Sequence, residues 1–157
     1  MHNQMDKDLF TIGLIDLLVE TFEKVRGIYL DPGTSLFETL ATISAAEASL
    51  PVSGTCATLA AQVAHVNFYL EVMERFLRGE GGQQVDWDEI WNTVSAVSAS
   101  EWDASRAHLH QTYQHLLEFL QGYNNWEQEN AIGGALAIVA HTAYHLGEIR
   151  QALCVVK

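Results

Sequence analysis

The chain of 157 residues carries eight Lys and Arg against twenty Asp and Glu, and the formal charge of -12 repels phosphate backbones and anionic lipid, which excludes nucleic acid and membrane surfaces as partners. With 48% of its residues apolar it has the content for one domain, residues 1–157, built on one core. The two cysteines lack CxxC spacing and the N-terminus lacks an apolar signal region, which points to a cytoplasmic protein with Cys56 and Cys154 reduced and partly buried.

Both prolines, Pro32 and Pro51, fall in the first third of the chain, so the remainder is free to form long helices. Residues 6 to about 26 read as helix 1, with Asp16, Glu20 and Glu23 on a polar face, Phe10, Leu14, Leu17, Leu18, Phe22 and Val25 on the apolar side, and Glu20–Lys24 as an i,i+4 ion pair. Asp31-Pro32-Gly33 is turn chemistry, and Ser35 with Glu38 is a capping box that opens one short extra helix to about residue 48. Pro51 and Gly54 separate it from helix 2, about 55–78, which ends at Gly79 and a loop containing Gly81 and Gly82. A connection over 86–97 carries Trp87 and Trp91 around a short helix. A second capping box, Ser98 with Glu101, opens helix 3 over about 99–121.

Helix 3 sets Trp102, Leu109, Tyr113, Leu116 and Leu120 on one stripe and Asp103, His110, Gln114, Glu118 and Gln121 opposite. Asn130 is the expected N-cap of helix 4, which runs to about residue 153. Residues 131–147 hold no Asp, Glu, Lys or Arg, yet the stretch is shorter than the roughly 20 apolar residues of a membrane span, so it reads as a buried helix. Four long helices with short or moderate links predict an all-α, antiparallel four-helix bundle.

Chemistry concentrates on helices 2 and 4. His141 and His145 are four residues apart, a rotation of about 40° and a rise of about 6 Å, so both imidazoles leave one face of helix 4. Asn67, Glu71, Glu74, Arg75 and Arg78 mark the polar side of helix 2, and His65 lies roughly 140° from its centre, among Ala61, Phe68, Tyr69 and Val72. A buried imidazole needs a partner, and two readings stay open: hydrogen-bonded core histidines, or three ligands that hold Zn²⁺, Ni²⁺ or Fe²⁺ with a position left for water or substrate. Glu148, one turn past His145, is the candidate catalytic residue; it can orient an imidazole, act as a base, or simply begin the polar end of the helix.

His108, His110 and His115 read as surface residues, and Trp87, Trp91, Trp102 and Trp126 as packing anchors. There is no Glu-x-x-His pair for a di-iron bundle, no HExxH because Thr142 follows His141, and no Walker A, GxGxxG or GxSxG motif.

The segments Ala60-Ala61-Gln62-Val63-Ala64-His65-Val66-Asn67-Phe68-Tyr69-Leu70 and His141-Thr142-Ala143-Tyr144-His145-Leu146-Gly147-Glu148-Ile149-Arg150 resemble the DinB-like (YfiT-like) superfamily, whose members are regarded as metalloenzymes. The resemblance implies an up-down-down-up four-helix bundle, a divalent metal on His65, His141 and His145, and homodimers. It also implies a small-molecule substrate: some relatives are S-transferases or isomerases that use low-molecular-weight thiols. Glu148 departs from the family pattern, where Gln is expected. The alternative function is a non-catalytic dimeric helical protein that binds a metal or small ligand structurally, or binds none.

Overall fold

Seven helices make up the regular structure of the described residues: α1 (Asn3–Phe22), α2 (Leu36–Leu40), α3 (Ala45–Ala48), α4 (Leu59–Leu77), α5 (Glu89–Thr93), α6 (Ala99–Gly122) and α7 (Ala131–Val156). The computed structural model describes residues 3–80 and 84–157, with side chains from Leu9 onward. The expected loop glycines Gly81 and Gly82 lie outside the described residues.

The all-α expectation holds, with α1, α4, α6 and α7 as the long helices. Both α1 and α4 pack against α6 and α7. Asn67 meets His108, and the Arg78 guanidinium lies 4.2 Å over the Phe119 ring, so α4 and α6 run in the same direction. Gln62 meets His145 while Phe76 touches Gly134, which opposes α7 to α4. Phe10 packs on Trp126 and Phe22 stacks on Tyr113, which opposes α1 to α6. Simple antiparallel alternation therefore fails between α4 and α6. The link over 78–98 allows this, because an extended chain advances about 3.3 Å per residue and can return along a helix that rises only 1.5 Å per residue.

The element ends explain most departures from the sequence reading. Helix α1 stops at Phe22, four residues early, because Glu20 is fully buried and does not pair with Lys24. Its carboxylate accepts the backbone N–H groups of Arg26, Ile28, Tyr29 and Leu30 at 2.6–2.9 Å, with Gly27 at φ +85° turning the chain around it. These donors would otherwise be left unsatisfied. Burial alone would raise the Glu20 pKa, but the four donors bring it down to about 2.

The single short helix expected after helix 1 is two, α2 and α3. Ser35 and Glu38 form the predicted box, but a second box at Ser44 and Glu47 restarts the helix and breaks it at residues 41–44. Helix α4 starts at Leu59 because Thr58 caps it, its hydroxyl accepting from the Ala61 N–H and donating to the Ser95 carbonyl. It ends where Gly79 takes φ +78° and the Glu80 N–H returns to the Arg75 carbonyl. Ser98 and Glu101 cap α6 as expected. Asn130 does precede α7, but with φ 65° and no side-chain cap bond; it turns the chain in the left-handed region and does not act as an N-cap.

The core runs the length of the bundle through Leu14, Leu18, Phe22, Leu70, Leu77, Trp102, Tyr113 and Leu116. Trp102 donates its Nε1–H to the Ile43 carbonyl at 2.8 Å and so ties the α2–α3 segment to α6. Asn67, expected on the wet side of α4, is buried where α6 covers it. No helix among the described residues is long and apolar enough to cross a membrane.

Candidate metal centre

His65 lies mid-way along α4, and His141 and His145 project from successive turns of α7. The two helices approach closely two turns before His141, where a Cβ on Gly134 would lie 3.1 Å from the Phe76 ring. That close packing brings one ligand-type nitrogen from each of the three histidines within 4.8 Å of the others. The Nε2 atoms of His65 and His141 are 3.1 Å apart. Two nitrogens held on one metal by bonds of about 2.0–2.1 Å at tetrahedral angles stand roughly 3.3 Å apart, so the separation fits shared ligation as well as a shared proton.

Hydrogen bonds orient the rings. His145 Nδ1 lies 2.5 Å from Gln62 Oε1 and 3.0 Å from Glu148 Oε2, both acceptors, so Nδ1 carries the proton and Nε2 keeps a free lone pair. His65 Nδ1 is buried with no hydrogen-bond partner among the described residues, and the ring's polar engagement there is through Nε2. Aromatic stacking fixes the other two rings: Trp91 lies on His65 with centroids 4.3 Å apart, and Tyr69 on His141 at 3.7 Å. Tyr144 meets His145 edge-on at 5.1 Å.

Burial, then the neighbouring His145, pushes the His65 pKa down to about 4; burial, then His145 and His65, does the same to His141, also to about 4. Burial lowers His145 as well, against the opposing pull of Glu148. All three are therefore neutral at neutral pH, the state a metal ligand requires.

Residues 33–149 match the DinB superfamily, well over half of the chain. The chain belongs to the DinB superfamily. The matched span contains all three histidines and closes at Ile149, just past Glu148. No curated protein and no solved structure matches the chain.

In this DinB-superfamily chain a cleft of about 470 Å³ opens beside His145, lined by Cys56, Gln62, Trp91, Tyr144 and Glu148 among others. Glu148, with a side chain 37% exposed, touches both the cleft and His145. Gln62, Tyr69 and Trp91 were not singled out as site residues by the sequence reading. Gln62 and Tyr69 stand three residues before and four after His65, on its helix face, a signal available without a fold. Trp91 was read as a packing anchor, and nothing local distinguishes it from Trp102 and Trp126, which are buried in the core. The cysteines were expected to be partly buried; both are exposed, free thiols, because Cys56 sits in the turn before α4 and Cys154 on the outer face of α7. His108, His110 and His115 are exposed as expected, with His108 3.2 Å from Glu71 and His110 stacked on Phe37.

Proposed function

We propose that this DinB-superfamily protein, acting as one domain in the cytoplasm, binds one divalent metal, Zn²⁺, Ni²⁺ or Fe²⁺, through His65, His141 and His145. We further propose that it is an enzyme, a low-molecular-weight-thiol S-transferase or isomerase, and works as a homodimer. The observation that carries the metal reading is the convergence of three neutral imidazoles within 4.8 Å beside an open cleft. The non-catalytic alternative would suit a closed, fully packed site.

A bound divalent cation lowers the pKa of a coordinated water or thiol. The chain's own residues supply the rest. Gln62 and Glu148 hold the Nδ1 proton of His145 and keep Nε2 available. Tyr69 and Trp91 limit ring rotation of His141 and His65. Glu148 reaches the cleft with a part-exposed carboxylate and is the group placed to take up or return a proton of the substrate. The thiol class rests on the superfamily membership. The exposed free cysteines fit a reducing compartment.

Elemental analysis of untagged protein purified without chelator tests the reading, beside a His141→Ala, His145→Ala double variant. Near-stoichiometric metal in the parent and its loss in the variant are expected. Absence from both, persisting after incubation with Zn²⁺, Ni²⁺ and Fe²⁺, would remove the enzyme proposal.

A further inference from the structure

The charge around the cleft is one-sided. Among the described residues lining the space beside His145, Glu148 is the only charged one, and none is Lys or Arg. A second cleft of about 690 Å³ shares Cys56, Ala57, Gln62 and Glu148 with the first and runs along α7 past Leu59, Ala152 and Val155, again with Glu148 as its only charge. Six of the seven described Lys and Arg side chains are engaged elsewhere, Arg75 with the Glu71 carbonyl. Arg26 pairs with Asp16, Arg78 with Glu74 and Arg106 with Asp103. Arg150 donates to Thr39, and Lys157 to Thr42.

We propose that this double cleft selects an organic amine in its ammonium form, with the charge at Glu148 between Trp91 and Tyr144 and the apolar part of the molecule along the second cleft. The inference rests on the metal reading and deepens it, since a bound metal would take one donor group of the same ligand. A bound metal's charge is met by the donor head of the ligand, so an anionic tail in this position would meet the Glu148 carboxylate at short range with no Lys or Arg among the described lining residues to offset it. An ammonium gains a charge-assisted contact with that carboxylate and attraction to the aromatic rings that line the cleft. The formal charge of -12 adds a general field that draws cations toward the molecule. Low-molecular-weight thiols that are rich in carboxylates fit this cleft worse than those that carry an amine.

Three hydroxamates with the same metal-binding head and different tails separate the two proposals: 4-aminobutanohydroxamate, butanohydroxamate and succinate monohydroxamate. They are titrated calorimetrically onto zinc-loaded protein at about 0.15 M salt, where the field of distant surface charges is screened over roughly 8 Å. The ammonium compound is expected to bind roughly tenfold tighter than the carboxylate, with the neutral compound between them. In Glu148→Gln, compared as a ratio and with zinc content measured on the same sample, the spread should shrink to about twofold. A flat or reversed order in the parent overturns the amine proposal while leaving the metal reading in place. An unchanged spread in Glu148→Gln also overturns it, because the preference would then belong to the whole molecule's field. Failure of the protein to take up zinc removes the metal reading and this proposal with it, whereas failure of the neutral hydroxamate to bind zinc-loaded protein overturns this proposal alone.

Discussion

His65 and His141 face each other with Nε2 atoms 3.1 Å apart, and both resist protonation until about pH 4. In the unfolded chain each would protonate near pH 6.5. As pH falls below that value the metal-free unfolded state takes up protons that the folded state refuses, so stability drops between about 6.5 and 4 and levels off below. Glu20 adds to the loss at lower pH: its folded pKa of about 2 against 4.5 means a contribution fully present above 4.5 that disappears as pH falls toward 2. Thermal melts of metal-free protein should therefore give a falling Tm from about pH 7 to about pH 4, with a flatter curve in a His65→Gln, His141→Gln variant. Parallel curves would mean that these histidines are not held neutral by the fold. Of the residues at the site, the three histidines and Glu148 were legible because their spacing put them on helix faces. Glu20 was misread because periodicity places a side chain on a face and cannot say that a later loop will fold over it.

At the level of elements, α7 carries the test of how the centre is assembled. Gly133 and Gly134 are adjacent in sequence and differ completely in surroundings: nothing lies within 4 Å of a Cβ on Gly133, whereas one on Gly134 would crowd Phe76 and Met73 at 3.1–3.2 Å. Gly133→Ala should gain up to about 1 kcal/mol from reduced backbone freedom. Gly134→Val should lose about 1–3 kcal/mol by overpacking, and by pushing α7 from α4 it should also weaken metal binding. Chemical denaturation with zinc titration on both variants checks this; equal stability would remove Gly134 as the contact that sets the α4–α7 distance. The existence of every element but α3 was readable, since the long apolar stripes and the boxes at Ser35 and Ser98 are local signals. The break at Ser44 is equally local, because Ser44 and Glu47 stand at the same spacing as the other two boxes. The direction of α6 relative to α4 carries no local signal, and a link over 78–98 permits either sense.

At the scale of the whole molecule, the described residues leave an apolar strip exposed. Ile132, Leu136 and Tyr144 are exposed along α7, and Leu9 and Ile12 are exposed on the neighbouring α1. Apolar patches of this kind mark association surfaces, and the strip supports the proposed homodimer. Light scattering at high protein concentration should give twice the chain mass, and Leu136→Glu should return the monomer. A strict monomer in the parent would remove the dimer.

By itself the sequence determined the helix content and which face of its helix each of the three histidines occupies, because these are written in spacing along single helices, and two motif-bearing segments carried the resemblance to the superfamily. Only the tertiary structure decided that His65 meets the α7 pair, that Gln62 and Glu148 share the His145 proton, that Trp91 stacks on His65, and that Glu148 is the one charge between two clefts. Those are distances between elements far apart in the chain, fixed by how closely α7 can approach α4 at Gly134 and by where the α5 segment comes to rest. A pattern read along one helix contains no information about either.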